Sequence, residues 1–165
     1  MHCKTPRSSL SPLVLPLVLI TLAASGCLQD EPAGPSVEYQ VIEEVTFAES
    51  LGIDLDAMTV TEEGIYIQDL TPGDGPEADW GDNVEIVYSG YLHTGVQYLP
   101  EDTIGFQLGG EVVPEGVQIA MLGQQAGGER LMIIPPRYGY GAREYENVPA
   151  GSILIFRVEL LDLVN

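Results

Sequence analysis

Side chains able to carry out acid–base, nucleophilic or metal chemistry are scarce in this sequence of 165 residues. After Cys27 there is one histidine, His93, and no further thiol. A structural zinc site takes about four nitrogen or sulfur ligands, and a catalytic triad needs a histidine beside an activated nucleophile. Neither is predicted, and His93 is interpreted as an exposed turn residue rather than a ligand.

Carboxylates are abundant, but their spacing does not build a cation site. Asp74, Glu77, Asp79 and Asp82 are crowded together, yet they lack the ligand spacing of an EF-hand loop, so a solvated loop is the favoured interpretation. The sequence also has no phosphate-binding loop and no dinucleotide fingerprint. We therefore expect no metal and no cofactor, and the candidates that remain for a function are apolar and aromatic side chains.

The charge of the chain excludes one class of partner. The formal net charge is −19, and because Lys4 and Arg7 precede Cys27, the remainder holds four arginines against 25 acids, a charge of −21. Such a surface repels phosphate backbones, so no nucleic acid is expected as a partner. Two interpretations of the acidity stay open: an ordinary solvated surface, or adaptation to high salt, which screens repulsion between carboxylates.

The N-terminus has the pattern of an export signal. A basic start is followed by the apolar run SPLVLPLVLITLAA at residues 11–24, which is shorter than the ~20 residues needed to span a bilayer. We predict a signal peptide over residues 1–26. The sequence ASGC at residues 24–27 resembles a bacterial lipobox, which implies lipidation of Cys27; an ordinary cleavage site beside a chance cysteine is the alternative. The predicted location is extracytoplasmic, in the cell envelope, lipid-anchored to a membrane.

Two further regions follow the predicted cleavage site. Residues 27–57 are interpreted as a lipidated cysteine, a polar tether rich in proline and glycine, and an N-terminal arm. The arm holds apolar residues that could pack on a folded domain: Val41, Ile42, Val45, Phe47 and Leu51. Residues 58–165 are predicted to form that domain.

The domain shows strand patterns interrupted by one helical pattern. Apolar alternation or continuous apolar runs predict strands over residues 60–70, 84–92, 103–108, 130–134 and 153–163. Between them, a helix is predicted from Pro114 to Leu122, because Val117, Ala120 and Met121 share one face. One short helix against an antiparallel sheet is an α+β arrangement.

Five motifs, in order, resemble the FKBP-type peptidyl-prolyl cis-trans isomerase family. They are TPGDG at 71–75, VYSGYLHTG at 87–95, EVVPEG at 111–116, GGERLMIIPPRYGYG at 127–141 and VPAGSILIFRVELLDL at 148–163. The resemblance implies an antiparallel twisted half-barrel wrapped around the helix. It also implies isomerisation of proline-containing exported polypeptides, without covalent catalysis, by a monomer.

The same resemblance assigns the site residues. Val113, through its backbone N–H, and Tyr140, through its hydroxyl, take the catalytic positions. The wall of an apolar pocket is assigned to Tyr88, Tyr98, Leu99, Phe106, Val112, Val117, Val148 and Phe156. Taken singly these residues could be mere sheet core, but their joint placement in the motifs favours a pocket.

Three departures from the family pattern keep other functions open. Val117 stands where the pocket floor is commonly tryptophan, Leu99 stands where an acid is usual, and the loop over residues 98–106 is shortened. These differences favour the alternative of a non-catalytic peptide-binding or chaperone-like module of the cell envelope. A structural spacer that uses the same fold is a third possibility.

Overall fold

Residues 36–164 are described by the computed structural model, so the predicted signal peptide, Cys27 and the greater part of the tether lie outside the described residues. Within this range six strands form one antiparallel sheet in the order β1-β2-β5-β6-β3-β4. No helix of residues 36–164 is long and apolar enough to cross a membrane.

The elements confirm the predicted α+β class, with one short helix against an open sheet. The strands are β1 Thr59–Val60, β2 Tyr66–Thr71, β3 Asn83–Leu92, β4 Gln97–Gln107, β5 Glu129–Ile134 and β6 Leu154–Leu163. The helix, α1, spans Glu115–Met121, and single 3-10 turns occupy Glu49–Leu51, Leu55–Ala57 and Pro136–Tyr138.

The prediction of one strand over residues 60–70 was wrong. A tight turn separates β1 from β2, with the Gly64 N–H donating to the Thr61 carbonyl at 3.0 Å and the Thr61 N–H to the Ile65 carbonyl at 2.9 Å. Gly64 has a φ of 77°, a left-handed conformation that glycine adopts without a steric penalty. The turn coincides with the polar run at residues 61–64, between Val60 and Ile65, which the prediction of one continuous strand passed over.

Two predicted boundaries also moved. The strand predicted from Thr103 begins at Gln97, since Pro100 is tolerated in a strand that lies at the edge of the sheet. The helix starts at Glu115, with Pro114 as the residue that precedes its first turn.

The concave face of the sheet buries the apolar face of the helix. Val117 and Met121 are fully buried there, together with the inward residues of β6. Gly116 makes the approach possible, because a Cβ at this position would overlap the Cγ2 of Ile134 in β5. The helix therefore lies directly on the strand that leads to the PPRYGYG segment.

The opposite face of the sheet is covered by the N-terminal arm. Ile42 and Leu51 are buried against Leu131 and Ile133 of β5, Ile155 of β6, and Ile153, which directly precedes β6. Both faces are therefore buried over most of β5 and over the start of β6, which explains the continuous apolar runs at residues 131–134 and 153–156. Beyond Phe156, β6 alternates, and Glu159 is exposed.

Hydrogen bonds fasten the arm to two loops. The Gln40 N–H donates to the Gly151 carbonyl at 2.9 Å, and its side-chain oxygen accepts from the Ile153 N–H at 2.9 Å. His93 is not the exposed turn residue that was expected: it is partly buried, with Nδ1 3.0 Å from the Thr46 carbonyl oxygen. The turn between β3 and β4 therefore contacts the arm instead of standing free in solvent.

A buried arginine joins the end of the helix to the sheet. Arg130 of β5 pairs with Asp69 of β2, with Nε 2.6 Å from Oδ1. Its Nη1 donates to the carbonyls of Ala120 and Leu122, at 2.8 and 3.1 Å. Carbonyls at a helix C-terminus have no partner within the helix, so the guanidinium satisfies them and also complements the helix dipole.

We expect Arg130→Met to lower the free energy of unfolding by about 3 kcal/mol, because it leaves two carbonyls at the end of the helix without their hydrogen-bond donor. Asp69→Asn is the matched control. Its side chain is half-exposed, so we expect a loss of about 1 kcal/mol. Urea denaturation measures both, and equal losses in the two variants would contradict the role given to the helix carbonyls.

Candidate functional site

Aromatic rings meet on the concave face beside the helix. The ring of Tyr98 stands edge-on to Phe156, with centroids 6.1 Å apart, and edge-on to Tyr140 at 6.4 Å. Tyr140 in turn stacks on Tyr145 at 4.3 Å. These separations are those of favourable aromatic pairs, so the rings hold one another in fixed orientations.

Most of the residues assigned to the pocket lie in one apolar cluster. Its buried part contains Tyr98, Phe106, Val113, Val117, Val148 and Phe156, and Tyr88, Leu99 and Tyr140 pack against it while partly exposed. The buried members form a floor that continues into the sheet core, and the partly exposed members lie at its edge, in contact with solvent.

Val112 is the exception among the predicted wall residues. Its side chain is 56% exposed and lies outside the buried cluster. The neighbouring Val113 is buried. In an irregular loop, the side chains of adjacent residues follow no regular pattern of orientation. Here only the side chain of Val113 turns towards the core.

The close approach of Tyr98 depends on a glycine in β3. Gly90 pairs with Phe156 across the sheet, and a Cβ on Gly90 would lie 2.8 Å from Cζ of Tyr98. The missing side chain makes room for the tyrosine ring above the strand. The SGY sequence of β3 thus fixes where the ring of Tyr98 can lie.

Tyr140 is held by a tightly closed loop. The Gly141 N–H donates to the Pro136 carbonyl at 2.9 Å, and the Gly151 N–H donates to the Gly141 carbonyl at 2.8 Å. A Cβ on Gly139 would come within 2.8 Å of Leu154, so the backbone before Tyr140 packs directly on β6. The tyrosine therefore projects from a backbone that is fastened on both sides.

The loop carrying Val113 is held by a side chain that sequence reasoning did not single out. Gln118 of α1 is buried; it accepts from the Gly109 N–H at 2.7 Å and donates to the carbonyls of Gly110 and Val113 at 2.7 and 3.1 Å. The Val113 carbonyl is thereby occupied. Its N–H donates to no group among residues 36–164, which leaves it available to a ligand.

Burial keeps the site tyrosines protonated. It raises the pKa of Tyr140 to about 12, with a contribution from the neighbouring Tyr145 phenol. Burial also raises the pKa of Tyr98, and that of Tyr88, to which the Asp102 carboxylate adds. Tyrosine is already neutral at physiological pH, so the effect of these shifts is that all three phenols keep their protons further into the alkaline range.

One of these hydroxyls lacks a partner. The Oη of Tyr98 is buried without a hydrogen bond in the described part of the chain. The Tyr140 phenol is close enough to influence the pKa of Tyr98, but the two hydroxyls do not meet in hydrogen-bonding geometry. An unpaired buried hydroxyl costs about 1–3 kcal/mol, so this part of the site is less stable than an all-apolar cluster would be.

Tyr145 was also missed from sequence. It lies five positions after Tyr140 in an irregular segment, where no helical or strand period links the two rings. The sequence did offer one indication of a binding role: Tyr145 is an aromatic residue between two glutamates in a loop.

Among residues 36–164, no three histidine, cysteine or acidic side chains are grouped to hold a metal ion.

An open antiparallel sheet that packs on one short helix, with an aromatic cluster beside that helix, defines the class of α+β half-barrels to which this chain belongs. Within that class the family is clear from the sequence. Residues 75–161 match the FKBP-type peptidyl-prolyl cis-trans isomerase family, and the chain belongs to it.

Relatives support this membership at moderate identity. A "Peptidyl-prolyl cis-trans isomerase" of Saccharomyces cerevisiae is 41% identical over 110 residues, which are 64% of this chain and 26% of that protein. The Arabidopsis thaliana "Peptidyl-prolyl cis-trans isomerase FKBP15-3" is 31% identical over 132 residues, 75% of this chain and 92% of that protein. The chain spans about a quarter of the length of the fungal relatives it matches.

Solved structures of two bacterial proteins share the fold. FkpA from Escherichia coli matches with a TM-score of 0.61 and 27% identity, over 70% of this chain and 55% of that one. A peptidyl-prolyl cis-trans isomerase from Pseudomonas syringae matches with a TM-score of 0.60 and 27% identity, over 66% of this chain and 82% of that one.

The raised tyrosine pKa values predict a loss of stability at alkaline pH. Unfolded tyrosine releases its proton near pH 10, whereas folded Tyr140 holds it to about pH 12. Between these values the folded state binds more protons, so the free energy of unfolding falls as pH rises. We expect a constant urea midpoint from about pH 7 to 9 and a decline above about pH 10.

The decline should be smaller in Tyr140→Phe and in Tyr98→Phe than in the wild type. Tyr91→Phe is the matched control, because Tyr91 lies on the other face of the sheet, against the arm. An alkaline decline of the same slope in the wild type, both site variants and the control would contradict the burial of these phenols.

Proposed function

We propose that this chain is a peptidyl-prolyl cis-trans isomerase that acts on exported, proline-containing polypeptides. The observation that carries the proposal is the convergence of a free backbone donor at Val113 and a neutral hydroxyl at Tyr140 on a buried apolar floor that includes Phe156. Membership of the isomerase family supports the same activity.

The reaction needs no catalytic group of the kinds missing from this sequence. Rotation about an X-Pro bond faces a barrier of about 20 kcal/mol and takes tens of seconds or more unaided. The planar amide is polar because of its resonance, and twisting removes that resonance. A dry cleft therefore destabilises the planar amide more than the twisted one, and a thousandfold acceleration requires only about 4 kcal/mol of such difference.

Each polar group has a role that fits its position. The Val113 N–H donates to a substrate carbonyl and fixes the peptide across the cleft. The Tyr140 hydroxyl, half-buried and neutral, donates to a second carbonyl next to the rotating bond. The proline ring packs on the aromatic floor beside Phe156 and Tyr98, where it displaces water.

A non-catalytic peptide-binding module is the second candidate, and one observation favours it. Val117 is fully buried beneath the rings and is smaller than the tryptophan usual at the floor, so the floor presents less aromatic surface to a proline. A module of this kind would hold proline-containing segments in the same cleft without speeding their rotation.

A protease-coupled assay on an X-Pro tetrapeptide tests the activity. We expect acceleration over the uncatalysed rate, and an up to tenfold lower kcat/KM in Tyr140→Phe, because one hydrogen bond is worth about 0.5–1.5 kcal/mol and about 1.4 kcal/mol corresponds to a factor of ten in rate. Tyr91→Phe should retain the wild-type value. Peptide binding without acceleration would instead establish the non-catalytic module.

Attachment to a membrane through Cys27 is the second part of the proposal. It is supported by the basic start, the apolar run of residues 11–24 and the ASGC sequence that ends at Cys27. An exported chain cleaved before Cys27 would hold a single thiol, which cannot form an internal disulfide, whereas a lipidated cysteine carrying more than one acyl chain anchors stably.

Detergent partitioning of the protein expressed in a bacterium tests the anchor. We expect the wild type in the detergent phase and Cys27→Ser in the aqueous phase, because the acyl chains provide the membrane affinity. Cys3→Ser is the matched control, since Cys3 lies in the segment predicted to be removed. Retention of Cys27→Ser in detergent would refute lipidation at this residue.

A further inference from the structure

A second cavity adjoins the loop that presents Val113. It has a volume of about 450 Å³, and Trp80, Glu111, Val113 and Glu115 line it together with glycines of the loop. Val113 is therefore shared between this cavity, which we call the Trp80 groove, and the aromatic cleft. Gln118, which bonds Gly109, Gly110 and Val113, holds the shared loop in place.

Trp80 is displayed to solvent on a rigid backbone. It is the only tryptophan of the chain, and its side chain is 50% exposed. The backbone N–H of Trp80 donates to Oδ1 of Asp79 at 2.7 Å, and the backbone N–H of Gly81 donates to the Leu108 carbonyl at 3.0 Å. Tryptophan is enriched among the few residues that contribute most of the binding energy at interfaces, and here it lines a cavity.

The charge of the groove is negative and unneutralised. Glu111 and Glu115 take part in no ion pair of residues 36–164, and no basic side chain lines the cavity. The arginines that form ion pairs, Arg130 and Arg157, do so with Asp69 and Glu129. An indole face flanked by carboxylates attracts a cation both through its ring quadrupole and through direct charge.

We infer that the Trp80 groove is a subsite for the basic side chain, arginine or lysine, of a residue near the proline in the substrate. The inference rests on the proposed function, and it names the substrate class: cationic proline-containing segments. Because Val113 borders both the cleft and the groove, a peptide whose carbonyl accepts from the Val113 N–H can place a neighbouring long side chain over Trp80.

Peptides with one common X-Pro core test the preference. Arg, Gln or Glu is placed in turn at each of the two positions before the proline and each of the two positions after it. The kcat/KM of each peptide is then measured by exchange NMR. At one position at least, we expect Arg to exceed Gln about fivefold and Glu to fall below Gln. In 1 M NaCl the ratio of Arg to Gln should drop below about twofold, because salt screens exposed charges.

Variants locate the preference on the groove. Trp80→Leu, Glu111→Gln and Glu115→Gln should each reduce the ratio of Arg to Gln while leaving kcat/KM for the Gln peptide within about twofold. Glu62→Gln is the matched control, because Glu62 lies in the turn between β1 and β2 and carries the same change of charge. An Arg preference that survives all three groove variants would overturn the assignment.

The fluorescence of Trp80 separates failure of the subsite from failure of the isomerase. Since it is the only tryptophan, its emission reports on the groove directly, and the Arg peptide should quench or shift it at lower concentration than the Gln peptide does. Isomerisation with equal rates for both peptides and no difference in fluorescence would overturn the subsite alone. A fluorescence response to the Arg peptide without any isomerisation would overturn the activity and retain the subsite.

Discussion

The site depends on how closely one short helix approaches the sheet. Gly116 lets α1 lie directly on Ile134, and this contact sets the position of every group that the helix controls. Val117 forms part of the buried floor, and the side chain of Gln118 is placed where it can hydrogen-bond the loop that carries Val113. A larger residue at the point of contact would lift the helix, and the floor and the Gln118 side chain would move with it.

Much of the fold could be predicted because its central strands have strong patterns. The strands β3, β5 and β6 were placed within a residue or so, since Ile86 and the runs around Ile133 and Phe156 combine apolar character with clear turns. The edges were harder. Proline at position 100 obscured the start of β4, and the short turn at residues 61–65 divides β1 from β2. Both places lie towards the edges of the sheet, where strands carry fewer packing constraints and therefore weaker patterns.

The candidate site was only partly accessible from sequence. Motif resemblance indicated Tyr98, Phe156 and Tyr140, which the structure brings within 6.4 Å of one another in pairs. Resemblance gave no means of separating Val112 from Val113, since direction in an irregular loop is set by tertiary contacts. Tyr145 and Gln118 were missed for the same reason: stacking and side-chain to backbone hydrogen bonds have no sequence period.

The arm that covers the back of the sheet changes what counts as the minimal unit. The family match spans residues 75–161, yet Leu131, Ile133 and Ile155 are dry only because Ile42 and Leu51 lie over them. A fragment trimmed to the family boundaries would expose this apolar face of the sheet to water and would self-associate. The stretch before the isomerase-like region is thus an integral layer of the molecule, and a folding unit has to include the arm, which Gln40 fastens to the loop before β6.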